Sequence, residues 1–291
     1  MGAGSLTHMI KRVGICGSGI MGSGIAEVAA KAGFDVVLRS RHQATADATI
    51  AGLEKSLQRQ VDKGRLSEED RDAVLGRVSG TERIADLADC DLVIESVVED
   101  LATKKALFLE LDHAVKAGAI LATNTSTLPV IEMAVETGRA DRFCGIHFFN
   151  PAPAMSLVEV VRPLTASDET IAQAKQFAAD CGKNPVEVAD RAGFIVNALL
   201  FPYLNNAVRM LENGTASRDD IDTAMKGGCN FPMGPLALLD LVGLDTSVAI
   251  LDALYDEFRD PNYSTVPLLR RMVSAGHLGR KSGRGFYDYQ R

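Results

Sequence analysis

Long apolar runs are missing from this 291-residue chain. The longest, residues 193–204, is interrupted by Asn197 and Pro202. It falls short of the roughly 20 residues that cross a bilayer, so no membrane span is expected. The opening residues lack a charged region followed by an apolar segment, and no secretion signal is expected either. Paired cysteines are equally absent: Cys16, Cys90, Cys144, Cys181 and Cys229 are odd in number, far apart and free of CxxC spacing. That excludes a disulfide framework or a zinc site and leaves buried, reduced thiols in a cytoplasmic protein. A basic excess is missing too. The net charge of −7 argues against sequence-independent nucleic-acid binding, although local lysines can still hold an anionic small molecule.

What is present describes a globular protein with room for two domains: 46 % of residues are hydrophobic and 24 % charged. Residues 1–8, rich in Gly and Ser, are set aside as a disordered extension. Short β-rich runs at 12–16, 35–38, 92–96, 120–123 and 143–147 alternate with amphipathic stretches such as 20–31, 44–63 and 101–116. Two further strands are expected at 158–161 and 185–188. The alternation is that of an α/β fold, a mostly parallel sheet with helices on both faces. After Arg191 the β signals stop, and segments 197–211, 217–225, 235–241, 246–258 and 267–274 read as helices. The expected organisation is an α/β domain over 1–190 followed by an all-α domain over 191–291.

The first β-run leads into Gly17-Ser18-Gly19-Ile20-Met21-Gly22. In a GxGxxG turn one glycine permits the tight turn, the next admits a pyrophosphate, and the third lets helix and strand pack. The diphosphate then lies on unpaired N–H groups at the start of the following helix, here at Ile20, Met21 and Gly22. This strand–turn–helix context predicts a Rossmann-type dinucleotide site.

Four polar positions interrupt apolar contexts downstream. Asn124-Thr125-Ser126 follows the run 120–123, where an open α/β sheet binds ligands at its strand ends; Ser126 reads equally as a helix N-cap. His147 ends the run 143–147, and Glu159 lies among apolar neighbours that require it to have a partner. A carboxylate on the imidazole N–H would make an acid/base pair for an alcohol dehydrogenation, whereas a structural histidine beside an unrelated ion pair fits the spacing as well. Asn197, in Gly193-Phe194-Ile195-Val196-Asn197, could cap a helix, bridge the domains or touch a substrate.

Taken together, these motifs, with His147-Phe148-Phe149-Asn150-Pro151, Phe231-Pro232-Met233-Gly234-Pro235 and the ending from Gly279 to Tyr287, resemble the L-3-hydroxyacyl-CoA dehydrogenases. The short length is similar to that of the bacterial 3-hydroxybutyryl-CoA branch. The resemblance implies a Rossmann-type domain followed by a helical substrate and dimerisation domain, and an acyl-CoA substrate. It implies His147 as the base at the C3 hydroxyl, Glu159 as its support, and Ser126 and Asn197 as contacts of the C3 oxygen and thioester. It places Glu99, Lys104, Asn124 and Asn150 near the cofactor, and Ser56 and Lys63 near the CoA nucleotide. Lys63 also reads as part of a solvated helix face. A homodimer through the helical domain is implied as well.

One segment departs from the family pattern. NAD-using members place an acid at the end of the second strand, but here Arg39-Ser40-Arg41-His42 stands there. An acid would repel a 2′-phosphate, while a serine and flanking guanidiniums can bind one. NADP(H) is therefore the favoured cofactor, with NAD(H) the alternative if both arginines merely face solvent. Two other enzymes stay in view: a dehydrogenase of free 3-hydroxy acids using a lysine, and one handling free hydroxy or sugar acids through histidine. No lysine lies between Arg191 and Met225, which speaks against the first. A non-catalytic nucleotide-binding protein is the reading of another class.

Overall fold

The computed structural model describes residues 10–289. The extension expected at 1–8 lies outside the described residues. The chain divides after Asp190 into two compact units.

The first unit contains eight strands in one sheet: β1 (Arg12–Cys16), β2 (Asp35–Arg39), β3 (Val78–Thr81), β4 (Leu92–Glu95), β5 (Ile120–Thr123), β6 (Phe143–Phe148), β7 (Leu157–Arg162) and β8 (Asn184–Ala189). Its helices are α1 (Ile20–Lys31), α2 (Gln43–Asp62), α3 (Glu68–Gly76), α4 (Leu101–Ala114), α5 (Val130–Ala134) and α6 (Asp168–Asp180). The spatial order is β3-β2-β1-β4-β5-β6-β7-β8. Every neighbouring pair is parallel except β6 and β7. Strands β4, β5 and β6 are buried along their whole length, as a sheet covered on both faces demands.

Local chemistry sets the helix boundaries. Ser67, Asp100 and Ser167 accept the backbone N–H of Asp70, Thr103 and Thr170 and so start α3, α4 and α6. Helix α1 stops at Gly33, whose φ of +95° suits glycine and turns the chain into β2. Strand β3 has no counterpart among the apolar runs, because Val78-Ser79-Gly80-Thr81 is too polar to signal a strand. It forms by pairing with β2, where Gly80 admits Ile50 and Ala46 of α2 at close range.

The antiparallel pair has its own steric condition. A Cβ on Gly145 would come within 2.7 Å of Val161 Cβ, so glycine lets β6 and β7 close. Their register sets Gly145 opposite Val161 and His147 opposite Glu159.

The second unit holds α7 (Val196–Glu212), α8 (Arg218–Cys229), α9 (Pro235–Val242), α10 (Leu244–Phe258) and α11 (Pro267–Ser274). They enclose a core that includes Phe201, Leu204, Leu236, Leu239, Leu251, Leu254 and Leu269. Two buried acids organise it. Asp222 accepts the N–H groups of Leu236 and Ala237, capping α9, and the hydroxyl of Tyr287. Asp240 accepts the N–H groups of Phe286 and Tyr287 and the hydroxyl of Tyr289. A Cβ on Gly285 would sit 1.9 Å from Asp240 Oδ1, and one on Gly279 would meet the Asp240 backbone at 2.3 Å. The glycines of the C-terminal signature are thus an architectural requirement.

The cysteines need one correction. Cys16, Cys90 and Cys144 are buried, and burial pushes their thiols up to about 12, 11 and 12. Cys181 is half-buried, and Cys229, expected inside, is exposed because it ends α8 at a solvent-facing turn. Among the described residues no helix is long and apolar enough to cross a membrane.

Asp240→Ala should destabilise the helical unit by about 3 kcal/mol, since it strands one buried and one partly buried N–H donor and a hydroxyl. Denaturant unfolding followed by circular dichroism measures this, and a loss below ~1 kcal/mol would contradict the assignment.

Candidate active site

The glycine-rich turn leaves the end of β1, and two of its glycines are fixed by backbone contact. Gly17 adopts φ +126°, donates its N–H to Arg39 O at 2.9 Å, and a Cβ there would lie 2.2 Å from Ser96 O. A Cβ on Gly22 would lie 1.9 Å from Gly17 O. Gly19 differs, because nothing lies within 4 Å of where its Cβ would stand. That open side faces the start of α1, whose first turn carries no acidic residue and whose N-cap supplies no side-chain hydrogen bond. Bare backbone N–H groups at a helix start, approached through a glycine, form a cradle that fits a pyrophosphate. Ile20 is exposed beside it, while Met21 is half-buried.

Next to the cradle, the end of β2 presents the tripeptide that lacks an acid. Ser40 is buried, donates its N–H to Thr81 O at 2.9 Å, and meets the Ser18 hydroxyl at 2.9 Å. Arg39 donates from Nε to Glu82 O at 3.2 Å. The Glu82 carboxylate is occupied by the Gln43 N–H at the start of α2. Arg41 is exposed and has no ion-pair partner among the described residues.

Beyond β1, the ends of β4 and β5 carry a cluster whose central acid the motif reading missed. Glu95 is fully buried at the end of β4. Its Oε1 accepts Lys104 Nζ and the Val97 N–H, both at 2.6 Å, and its Oε2 accepts the Thr123 hydroxyl at 2.7 Å. Lys104 also lies 3.2 Å from Glu99 Oε2. Glu99 in turn accepts the Thr125 hydroxyl and, at 3.0 Å, the Ser126 N–H. Lys104, expected beside a cofactor, is only 1 % exposed, because two carboxylates enclose it; of this ion-paired trio only Glu99 faces outward. The available signal for Glu95 was an acid closing the apolar run Leu92-Val93-Ile94, with a lysine nine residues on.

From this cluster the contacts run on to the histidine. Ser126 Oγ lies 3.1 Å from His147 Nε2, and His147 Nδ1 lies 2.8 Å from Glu159 Oε2. His147 is 4 % exposed and Glu159 1 %. With Glu159 ionised, Nδ1 donates to it, which fixes the ring and leaves Nε2 to exchange a proton on the Ser126 side. The Phe149 ring packs on the imidazole with centroids 4.5 Å apart. Ser126 is not a helix cap here; the N-cap of α5 is Pro129.

The remaining candidates are more dispersed. Asn124 Oδ1 accepts the Phe148 N–H at 2.8 Å and ties the ends of β5 and β6 together. Asn150 is exposed just beyond β6. Ser56 and Lys63 are two turns apart on α2 and its C-cap, the first half-buried and the second exposed. Asn197 belongs to the second unit, buried in the first turn of α7. Among the described residues there is no group of His, Cys, Asp and Glu suited to a metal ion.

Comparison with known proteins agrees with this architecture. Residues 12–191 match the family model for the NAD binding domain of 3-hydroxyacyl-CoA dehydrogenase, and 193–289 that for its C-terminal domain. A 3-hydroxybutyryl-CoA dehydrogenase of Mycobacterium tuberculosis is 48 % identical, over 98 % of this chain and all of that protein. The mitochondrial hydroxyacyl-coenzyme A dehydrogenase of Sus scrofa is 42 % identical over 97 % of this chain and 92 % of its own. The crystal structure of (S)-3-hydroxybutyryl-CoA dehydrogenase from Ralstonia eutropha superposes with a TM-score of 0.95 at 44 % identity, covering 97 % of this chain and 100 % of that one. With both halves matched in order, the chain belongs to the 3-hydroxyacyl-CoA dehydrogenase family.

Proposed function

We propose that the protein interconverts 3-hydroxybutyryl-CoA and its 3-ketoacyl thioester, with His147 as the acid/base and NADP(H) as the preferred cofactor. The observation that carries the first part is the Ser126–His147–Glu159 alignment, in which both imidazole nitrogens are engaged by groups suited to proton transfer. Bound in the glycine cradle, the cofactor supplies or accepts the hydride at C3. His147 takes the C3 hydroxyl proton in oxidation and returns it in reduction. Glu159 holds the ring and stabilises its protonated form. Ser126 presents a hydroxyl to the substrate oxygen, and Asn197 is assigned the thioester region. Glu99, Asn124 and Asn150 are assigned to the nicotinamide side, with Lys104 acting through Glu99. Ser56 and Lys63 are assigned to the CoA nucleotide, where a mobile ammonium suits phosphate.

The cofactor preference is supported by what stands at the end of β2. Ser40 and Ser18 offer two hydroxyls, Arg39 and Arg41 two guanidiniums, and no acid occupies positions 39–42 to hold a bare ribose. A reductive direction follows from NADPH use. The exposed apolar side chains Leu199 and Met210 on one side of α7, with Ile195 at its N-cap, support a homodimer through the helical unit. The unpaired thiols, of which Cys16, Cys90 and Cys144 are buried, support a cytoplasmic setting.

His147→Gln should lower kcat by about 10²–10⁴-fold while leaving cofactor affinity unchanged. Steady-state kinetics with acetoacetyl-CoA, together with cofactor titration, tests this. Ser40→Asp should shift the NADPH/NADH ratio of kcat/KM toward NADH by about 30-fold, the loss of one charge-assisted hydrogen bond. A wild-type preference for NADH would sink the cofactor assignment. Leu199→Asp should convert the dimer to monomer in light scattering, and an unchanged mass would remove α7 from the interface.

A further inference from the structure

We infer that Glu95 is a positioning residue that sets the net charge of the ledge beside the nicotinamide, and so biases the site toward the oxidised cofactor. The inference rests on the proposed dinucleotide site. Strand order gives the direction of the ligand. The ribose position at the end of β2 and the cradle after β1 take the adenosine and pyrophosphate half. The other half then extends across β1 to the ends of β4 and β5. Those ends carry Glu95, Glu99 and Thr123, with Lys104 from α4 among them.

The cluster has a definite charge balance. A fully buried carboxylate is tolerated only with partners, and Glu95 has three donors, one of them an ammonium. Glu95 and Lys104 therefore cancel. Glu99, also within reach of Lys104, is left as one negative charge, with its carboxylate anchored by the Thr125 hydroxyl and the Ser126 N–H. Asp100 is nearby but exposed as the cap of α4, where solvent screens it. Without Glu95 the ammonium would neutralise Glu99 instead. The nicotinamide ring is cationic when oxidised and neutral when reduced, so one negative charge at this place favours the oxidised form.

The test is equilibrium binding with no acyl substrate present. NADPH is titrated by its own fluorescence, undisturbed by indole emission because the chain has no tryptophan. NADP⁺ is then measured by competition. For Glu95→Gln the ratio Kd(NADP⁺)/Kd(NADPH) should rise about tenfold, the order expected for one unit charge beside a cationic ring. Glu95→Gln/Lys104→Met restores a net charge of −1 without the buried pair and should bring the ratio back toward wild type. Glu99→Gln makes the same one-charge change without touching the buried pair, so it serves if Glu95→Gln does not fold, with the same rise expected. An unchanged ratio in Glu95→Gln or Glu99→Gln, or a double variant that stays shifted, overturns the inference. The same titrations with NADH and NAD⁺ separate the two readings. Preference for the non-phosphorylated pair would overturn the NADP(H) assignment while leaving the effect of ring charge measurable.

Discussion

The imidazole of His147 and the carboxylate of Glu159 meet inside the sheet because one pair of strands runs against the others. In a parallel sheet the two residues would leave by different strand ends. The antiparallel turn from β6 to β7 brings positions twelve apart in sequence face to face, and Gly145 lets the strands come close enough. Once together and dry, neither group is independent. The carboxylate needs a donor, the ring needs an orientation, and each supplies the other's requirement. The remaining features of the site are arranged around that fixed pair, with Ser126 reaching it from the loop after β5 and Glu99 holding Ser126 from the loop after β4.

Much of this was legible in the residues. The glycine turn, the strand-to-helix rhythm and the change of class after Arg191 are local patterns, and local patterns survive in sequence. His147 and Glu159 stood out because each breaks an apolar run. Their partnership did not follow from spacing, since it depends on strand direction. Glu95 was hidden for a related reason: a charged residue closing a strand looks like a surface residue until its burial is seen. Lys104 shows the converse, a cation that reads as a ligand contact while two acids enclose it. Strand β3 was invisible because its stability comes from β2 and α2 rather than from its own side chains.

The glycines of the two motifs are not all held by the same thing, and a motif cannot tell them apart. Gly17, Gly22, Gly279 and Gly285 are required because neighbouring protein atoms occupy the place of a Cβ. At Gly19 nothing among the described residues stands where a Cβ would go, which leaves that side of the turn open. That contrast gives the cradle physical content beyond its spacing.

The two buried acids of the helical unit also bear on the order of events during synthesis. Asp240 is made 46 residues before the Phe286 amide that it accepts, and Asp222 is made 65 before the Tyr287 hydroxyl. Until that last segment has emerged, Asp240 lacks its partners and favours water over the core, while Asp222 has only the N–H groups that start α9. The sheet of the α/β unit is built entirely from strands that end by Ala189. The growing chain can therefore form its α/β unit early, while its helical unit waits for residues 286–289.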